Sequence, residues 1–180
     1  SLCAAVPMAA SGIDQATAAA IGAAAGAAHL FNLPEDEIAN ALALALTANL
    51  HLYNVRCGNL SDWKGCAGPN GARNGVFAAL LAREGITGPT GAVEGKSGLQ
   101  SVVGSFDWQP GAHAMPLISS THLKFHPVCY HGQSAIDAAL ALRDKVVAHD
   151  VVAIDIETYE ASYLVMGHDP QRWAPENRET

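Results

Sequence analysis

Charged side chains are scarce in this sequence, and basic ones are the scarcest. Only 15% of the 180 residues are Asp, Glu, Lys or Arg, and the formal net charge is −7. Because 49% of the residues are apolar, this composition argues against an intrinsically disordered chain. The negative balance argues against nucleic acid or an anionic membrane surface as a partner. A small anionic substrate stays compatible, because local cations govern binding in a pocket.

Cysteine pairs and long runs of large apolar side chains are missing as well. The longest apolar run, residues 16–28, consists mostly of Ala and Gly, which is typical of a buried helix and not of a membrane span. No Cys-x-x-Cys motif occurs, which argues against a zinc site or a disulfide framework and favours free thiols in a cytoplasmic protein. The four cysteines are Cys3, Cys57, Cys66 and Cys129. The start at Ser1, without Met or a basic leader, leads us to expect an upstream segment.

The first two thirds of the chain carry helical patterns. Asp14 is placed to cap a helix that runs to about Asn32, and Pro34 marks the first position of a second helix that is apolar nearly all round. A third helix is predicted over residues 69–84, with Gly85 just after its end. Within it Gly71, Gly75 and Ala79 form a stripe of small residues, which predicts close contact with another helix.

The remainder of the sequence is more mixed. Residues 86–116 are rich in Gly and Pro, and we expect a boundary there, near Met115. A fourth helix is predicted over residues 131–148, followed by a half-buried strand from Val151 to about Thr158, where apolar and acidic side chains alternate. The patterns thus predict helices before this boundary, and a helix followed by a strand after it.

Two of only four lysines precede predicted helices. Lys64 lies shortly before the third helix and Lys124 shortly before the fourth. A helix N-terminus presents unpaired N–H donors and a partial positive charge, so each lysine would reinforce an anion site. Two such sites facing each other would suit a substrate with several carboxylates. The alternative is that each lysine is a solvated surface charge.

Other candidate residues are less distinctive. His126 and His131 can exchange protons near neutral pH, although a plain structural role is an equally open reading. No carboxylate lies at metal-ligand spacing beside them, so we predict no metal site. Arg56 and Arg73 are possible carboxylate clamps. Cys129 is a weak candidate nucleophile, because nothing in the sequence places a triad around it.

Three stretches of the chain resemble the MmgE/PrpD family. The most specific runs from Leu60 to Pro89 and contains Ser-Asp-Trp-Lys-Gly-Cys-Ala-Gly, similar to the Trp-Lys-Gly segment of 2-methylcitrate dehydratase-like members. The second is Lys-Phe-His-Pro-Val-Cys-Tyr-His-Gly-Gln over residues 124–133. The third and weaker one is the helix over residues 33–42. These stretches cover the chain almost end to end, in family order.

The resemblance implies an α+β fold, with part of a helical domain over residues 1–116 and the start of a smaller α/β lid over residues 117–180. It also implies a homodimer joined through the helical domain. It implies a cytoplasmic hydro-lyase of propionate metabolism that works on a small polycarboxylate without metal or organic cofactor. Lys64 matches the family's active-site lysine, Lys124 a lid lysine and His131 a lid histidine. The expected roles are charge stabilisation by the lysines and proton donation by His131, with Arg56, Arg73 and His126 as substrate contacts.

Departures from the family pattern leave alternatives open. Many members carry Asp-His where this chain has Asp14-Gln15, and members have a His/Asp-rich segment upstream and another active-site residue downstream. We therefore expect this chain to be an internal part of a larger enzyme that lacks part of the active site. The alternatives are a decarboxylase, epimerase or isomerase of a related polycarboxylate, or a non-catalytic carboxylate-binding fragment.

Overall fold

Two compact units make up the chain, and each is described by itself. The computed structural model describes residues 6–107, which belong to the first unit, and residues 117–174, which belong to the second. The predicted boundary near residue 116 falls among residues 108–116, outside the described ranges, so it stays a prediction. Mainly helical structure is present in both units. None of the described helices is long and apolar enough to cross a membrane.

Three helices form the body of the first unit. They are α1 (Ala16–Leu30), α2 (Glu35–Ala48) and α3 (Trp63–Arg83), and a short α4 (Leu99–Val103) follows. Single 3₁₀ turns lie at Ala9–Ser11 and Tyr53–Arg56. Alanine side chains fill the space between α1, α2 and α3, and a further buried cluster includes Met8, Leu46 and Leu99.

The ends of α1 and α3 follow the residues expected there. Beyond α1, Asn32 adopts the left-handed conformation, with φ of 54°, and the Leu33 N–H donates to the Ala28 carbonyl at 3.1 Å. Beyond α3, Gly85 has φ of 84° and its N–H donates to the Ala82 carbonyl at 2.9 Å. Left-handed Asn or Gly after a helix lets the chain turn back and satisfy its last carbonyl groups.

The start of α3 differs from the prediction. The helix begins at Trp63, so Pro69 lies inside it and Lys64 lies in its first turn. Proline inside a helix loses one hydrogen bond and crowds the carbonyl four residues earlier. Here the first turn is held by the Lys64 N–H, which donates to the Ser61 carbonyl at 3.0 Å, and by the Gly65 N–H, which donates to the Asp62 carbonyl at 3.1 Å.

The second helix is less buried than its apolar pattern predicts. Ala41, Ala45 and Leu46 are buried, but Leu42 and Ala43 are only partly covered. They line a groove of about 920 Å³ between α1, α2 and the loop that follows Gly88. An apolar side chain is covered only where another element lies over it, and within the first unit no described element fills this groove.

The second unit consists of short elements. A 3₁₀ turn at Tyr130–Gly132 leads into α5 (Gln133–Leu142), and α6 (Glu160–Ser162) continues as one π turn over Tyr163–Gly167. Further 3₁₀ turns lie at Leu117–Ser120, Ala148–Asp150 and Pro170–Arg172. The predicted fourth helix is therefore shorter than expected and ends before Val146 and Val147, whose β-branched side chains favour a helix less.

The strand predicted after residue 150 is not formed. Residues 151–159 take part in no regular ladder, and Val152 and Ile154 are 99% and 78% exposed. A strand exists only when a partner satisfies its N–H and C=O groups, and the described residues supply none. Within residues 6–107 and 117–174, strand-type pairing is limited to an isolated antiparallel bridge between Ile13 and Leu52. The α+β class is thus not confirmed, whereas the mainly helical architecture is.

The stripe of small residues on α3 packs as predicted. A Cβ atom added at Gly71 would lie 2.5 Å from the Ala16 carbonyl oxygen, and one at Gly75 would overlap the Ala20 carbonyl oxygen. Both obstacles are backbone atoms of α1, which a side-chain rotation cannot move. The two helices therefore touch backbone to backbone at these glycines.

Replacing Gly75 with Ala should destabilise the first unit by about 1–3 kcal/mol, because the new methyl group forces α1 and α3 apart. The matched control is Gly22→Ala in α1, where a Cβ would meet nothing within 4 Å. That change should stabilise the unit by roughly 0.5–1 kcal/mol through lower chain entropy. Urea denaturation of both variants measures the effects, and equal shifts in the two would contradict the packing argument.

Candidate active site

A buried ion pair stands at the start of α1. The Asp14 side chain is fully buried, and the Arg56 Nε donates to its Oδ2 at 2.7 Å. The Arg56 Nη2 lies 3.4 Å from the other carboxylate oxygen, which also accepts the backbone N–H of Ala16 at 2.9 Å. The Asp14 carboxylate therefore bonds to the first N–H of α1, although the N-cap position is Gln15 and not Asp14 as predicted. It also anchors a guanidinium that comes from 42 residues further along the chain.

The charge state of Asp14 follows from these contacts. Burial raises the pKa of its carboxyl, since desolvation penalises the charged form. The hydrogen bonds from Arg56 and from the Ala16 N–H, together with the positive charges of Arg56 and His51, outweigh burial and hold the pKa below the ordinary value of 3.8. The hydrogen bond to Asp14 raises the pKa of Arg56 despite its burial. The pair is therefore ionised at neutral pH.

Polar contacts connect this pair to the loop before Arg56. The Asp14 N–H donates to the His51 carbonyl at 2.7 Å, and the His51 N–H donates to the buried Thr17 hydroxyl at 3.0 Å. Further along, the Asn74 amide of α3 donates to the Asn49 Oδ1 at 2.7 Å. The loop over residues 49–56 is thus tied both to the start of α1 and to the middle of α3.

The predicted cations of the first unit take different positions. Lys64 is half-buried in the first turn of α3, where two of the early N–H groups are already bonded to the carbonyls of Ser61 and Asp62. Arg73 is exposed on α3, and its guanidinium contacts the Asn74 side chain at 3.1 Å. Arg56 is the partner of Asp14. These positions do not test the predicted roles, which are charge stabilisation for Lys64 and substrate contact for Arg56 and Arg73, so both stay predictions.

In the second unit one glutamine side chain organises the loop that carries Lys124 and His126. The Gln133 Oε1 accepts the N–H groups of Phe125 and His126, both at 3.0 Å, and its Nε2 donates to the His126 carbonyl at 3.0 Å. The His126 Nε2 lies 2.8 Å from the Asp137 carboxylate on α5. The exposed Lys124 ammonium donates to the Val128 carbonyl at 2.9 Å.

His131 is held from two sides. Its Nδ1 shares a hydrogen bond of 2.6 Å with the Tyr159 hydroxyl, and its carbonyl accepts the Ser162 hydroxyl at 3.0 Å. The ring is half-buried beside Tyr130, whose own hydroxyl lies 2.9 Å from the His122 Nδ1. A histidine with one nitrogen held and the other open can exchange protons with a ligand.

Three supporting residues were not found from the sequence as parts of the site. Asp14 was predicted as a cap and noted at the family's Asp-His position, but its pairing with Arg56 was not predicted. A signal existed: Asp14 is the sole acidic residue before Glu35, and Arg56 is the first Lys or Arg of the chain. Isolated opposite charges in an apolar stretch indicate a buried pair. Gln133 and Tyr159 gave no such signal, because both reach their partners only through the folded backbone.

In the parts that the structure describes, neither the thiols nor the metal-binding side chains form a further candidate site. Cys57 and Cys66 are exposed free thiols, and the partly buried Cys129 is free too. Cys3 lies outside the described residues. No group of three or more His, Cys, Asp or Glu side chains within residues 6–107 and 117–174 could hold a metal ion.

These observations define a class of protein. It is mainly helical, and it carries lysine, arginine and histidine side chains near the starts of helices. The family model of the MmgE/PrpD N-terminal domain matches residues 1–110, and that of the MmgE/PrpD C-terminal domain matches residues 126–180. The chain therefore belongs to the MmgE/PrpD family.

One similar relative is a 2-methylcitrate dehydratase from Cupriavidus necator. It is 30% identical over 167 residues, an alignment that covers 86% of this chain and 34% of the relative. The chain thus spans about a third of the length of this relative. No solved structure matches the chain significantly.

Asp14→Asn should lower the free energy of unfolding at neutral pH by about 1–3 kcal/mol, because a partly buried guanidinium loses its counter-charge. Since folding lowers the pKa of Asp14, the pair stabilises the native state fully above the ordinary value of 3.8 and progressively less as the pH falls below it. The variant should therefore lose less stability on acidification than the wild type. Urea midpoints at pH 7 and under acid conditions measure this. Glu84→Gln, which removes an exposed pair with Arg83, is the control and should change little.

Gln133→Ala should release the loop over residues 124–126. The amide protons of Phe125 and His126 lose their acceptor, so their hydrogen exchange should accelerate at least about tenfold, as expected for a lost hydrogen bond of 1.4 kcal/mol. Hydrogen exchange followed by NMR measures this. The control is Ser134→Ala at the neighbouring exposed position. Unchanged hydrogen exchange in the Gln133 variant would contradict the proposal that Gln133 holds this loop.

Proposed function

We propose that this chain is part of an enzyme that removes water from a small hydroxy-polycarboxylate such as 2-methylcitrate. The observation that carries the proposal is the match of both MmgE/PrpD family models in order along the chain. The 30% identity to a protein named 2-methylcitrate dehydratase favours dehydration over decarboxylation, epimerisation or isomerisation. A cytoplasmic homodimer, with a helical domain up to residue 116 and an α/β lid from residue 117, belongs to the same proposal.

Dehydration of such an acid sets definite chemical demands. A base takes the proton from the carbon next to a carboxylate, and the electron pair of that C–H bond forms the new C=C bond. The C–O bond breaks, and the leaving hydroxyl takes a proton from an acid to become water. Negative charge builds on the carboxylate, where a cation about 4 Å away contributes roughly 4 kcal/mol at an effective dielectric constant near 20.

Lys64 and Lys124 are the cations proposed for this charge. Lys64 is held in the first turn of α3, close to the positive end of the helix dipole, which adds to its attraction for an anion. Lys124 extends from the loop that Gln133 fixes, with its ammonium near the Val128 carbonyl. Arg56, Arg73 and His126 are proposed as further contacts for the remaining carboxylates of the substrate.

His131 is the proposed acid for the departing hydroxyl. Its ring orientation is set by Tyr159, and no other group in the described part of the chain bonds to the second ring nitrogen, Nε2. A protonated imidazole can donate from Nε2 and be reprotonated at near-neutral pH. The assignment uses no metal or organic cofactor.

The test is turnover of 2-methylcitrate by the complete enzyme of which this chain is proposed to be a part, followed by the ultraviolet absorbance of the unsaturated product. Lys64→Ala should lower kcat/KM by about 10²–10³-fold, as removal of one stabilising donor does in other active sites. The control is Lys96→Ala, an exposed lysine of the same unit, which should leave kcat/KM unchanged. Citrate and cis-aconitate serve as comparison substrates.

Three outcomes would count against the proposal. Equal activity of the Lys64 and Lys96 variants would remove Lys64 from the site. Release of CO₂ from cis-aconitate in preference to dehydration of 2-methylcitrate would favour a decarboxylase function instead. Calorimetric binding of a tricarboxylate without any turnover would favour a carboxylate-binding role.

A further inference from the structure

The contacts around His131 go beyond what a surface histidine needs. Tyr159 bonds to its side chain at Nδ1, and Ser162 bonds to its backbone carbonyl. These two residues are three positions apart at the start of α6, so that one helical turn presents both hydroxyl groups to the same histidine. Ser162 is buried, which makes its bond to the carbonyl a fixed one.

The residue after the histidine packs against the same stretch. A Cβ atom at Gly132 would lie 3.2 Å from Val128 Cγ2 and 3.3 Å from Met166 Cε, which is closer than side chains ordinarily approach. The chain over residues 128–132 therefore lies tightly against the helical stretch over residues 160–167. This packing fixes the backbone from which the imidazole projects, and the Tyr159 hydroxyl then fixes the ring.

We propose that Tyr159 is a positioning residue for the reaction: it occupies Nδ1 of His131, so that proton exchange with the substrate takes place at Nε2. This inference rests on the proposed dehydratase function. In the imidazolium form Nδ1–H donates to the Tyr159 oxygen while Nε2–H faces the substrate. Nε2 then gives its proton to the leaving hydroxyl as the C–O bond breaks, water forms, and a neutral imidazole with its proton on Nδ1 is left. Reprotonation of Nε2 from solvent restores the acid.

A neighbouring tyrosine provides a matched comparison. The Tyr130 ring packs edge-on against the His131 ring, with centroids 6.1 Å apart, but its hydroxyl bonds to His122. Removing either hydroxyl with a Tyr→Phe change keeps the aromatic ring and its packing. Only the change at Tyr159 takes a partner away from His131.

The first experiment measures the ¹⁵N chemical shifts of the two ring nitrogens of His131 by NMR, under conditions in which the imidazole is neutral. In the wild type, the hydrogen bond between Nδ1 and the Tyr159 hydroxyl should make one tautomer of His131 dominate. Tyr159→Phe should return the ring to the tautomer mixture of an unconstrained histidine, whereas Tyr130→Phe and Ser162→Ala should keep the wild-type pattern. An unchanged tautomer ratio in Tyr159→Phe, or an equal change in Tyr130→Phe, would overturn the proposal. The backbone amide spectrum shows whether each variant is folded, and because Ser162→Ala leaves Tyr159 intact, it separates loss of the hydroxyl from loss of local structure.

The second experiment measures turnover of 2-methylcitrate. Tyr159→Phe should lower kcat by about 10–100-fold with a smaller change in KM, as loss of a residue that orients an acid does. Tyr130→Phe should match the wild type, and equal kcat values for all three proteins would overturn the positioning role. If the complete wild-type enzyme turns over no polycarboxylate, the dehydratase proposal fails, and the NMR result by itself decides whether Tyr159 controls the nitrogen that His131 exposes.

Discussion

The backbone contact between α1 and α3 is the constraint on which the first unit depends. Alanine and glycine bury little apolar area per residue, so this unit gains less from transfer of large side chains than most helical cores do. It gains instead from many close atom pairs, which form only where the two helices touch. Gly71 and Gly75 permit that contact because they place no Cβ between α3 and the carbonyl oxygens of Ala16 and Ala20.

The polar groups of the first unit use the geometry that this contact sets. With α1 against α3, the start of α1 lies beside the loop over residues 49–56, and Asp14 can pair with Arg56 inside the protein. A buried carboxylate without such a partner would be strongly unfavourable, so the pair requires the loop to be in place. The bonds of His51 to Thr17 and of Asn74 to Asn49 hold the loop there.

In the second unit, hydrogen bonds from side chains to backbone groups stabilise the local structure. Most of its apolar side chains are exposed, whereas Ser162 is buried and its hydroxyl donates to the His131 carbonyl. Hydrogen bonds from side chains to backbone groups take over where apolar burial is small: Gln133 holds the loop with Lys124 and His126, and Ser162 holds His131. Such bonds are worth about 1 kcal/mol each, but they fix direction, which is what a site for acid–base chemistry needs.

The sequence by itself determined the family, the three main helices, the residues that end α1 and α3, and the glycine stripe. These features depend on neighbours a few residues apart, where helical periodicity and the conformational freedom of Asn32 and Gly85 act directly. Only the tertiary structure decided that α3 begins before Pro69, that the alternating segment after residue 150 stays unpaired, and that Arg56 meets Asp14 and Tyr159 meets His131. The start of α3 depends on local bonds to Ser61 and Asp62 that periodicity does not reveal. The two side-chain pairs join residues 42 and 28 positions apart, and helical or strand spacing does not specify which distant groups the folded backbone brings within hydrogen-bonding distance.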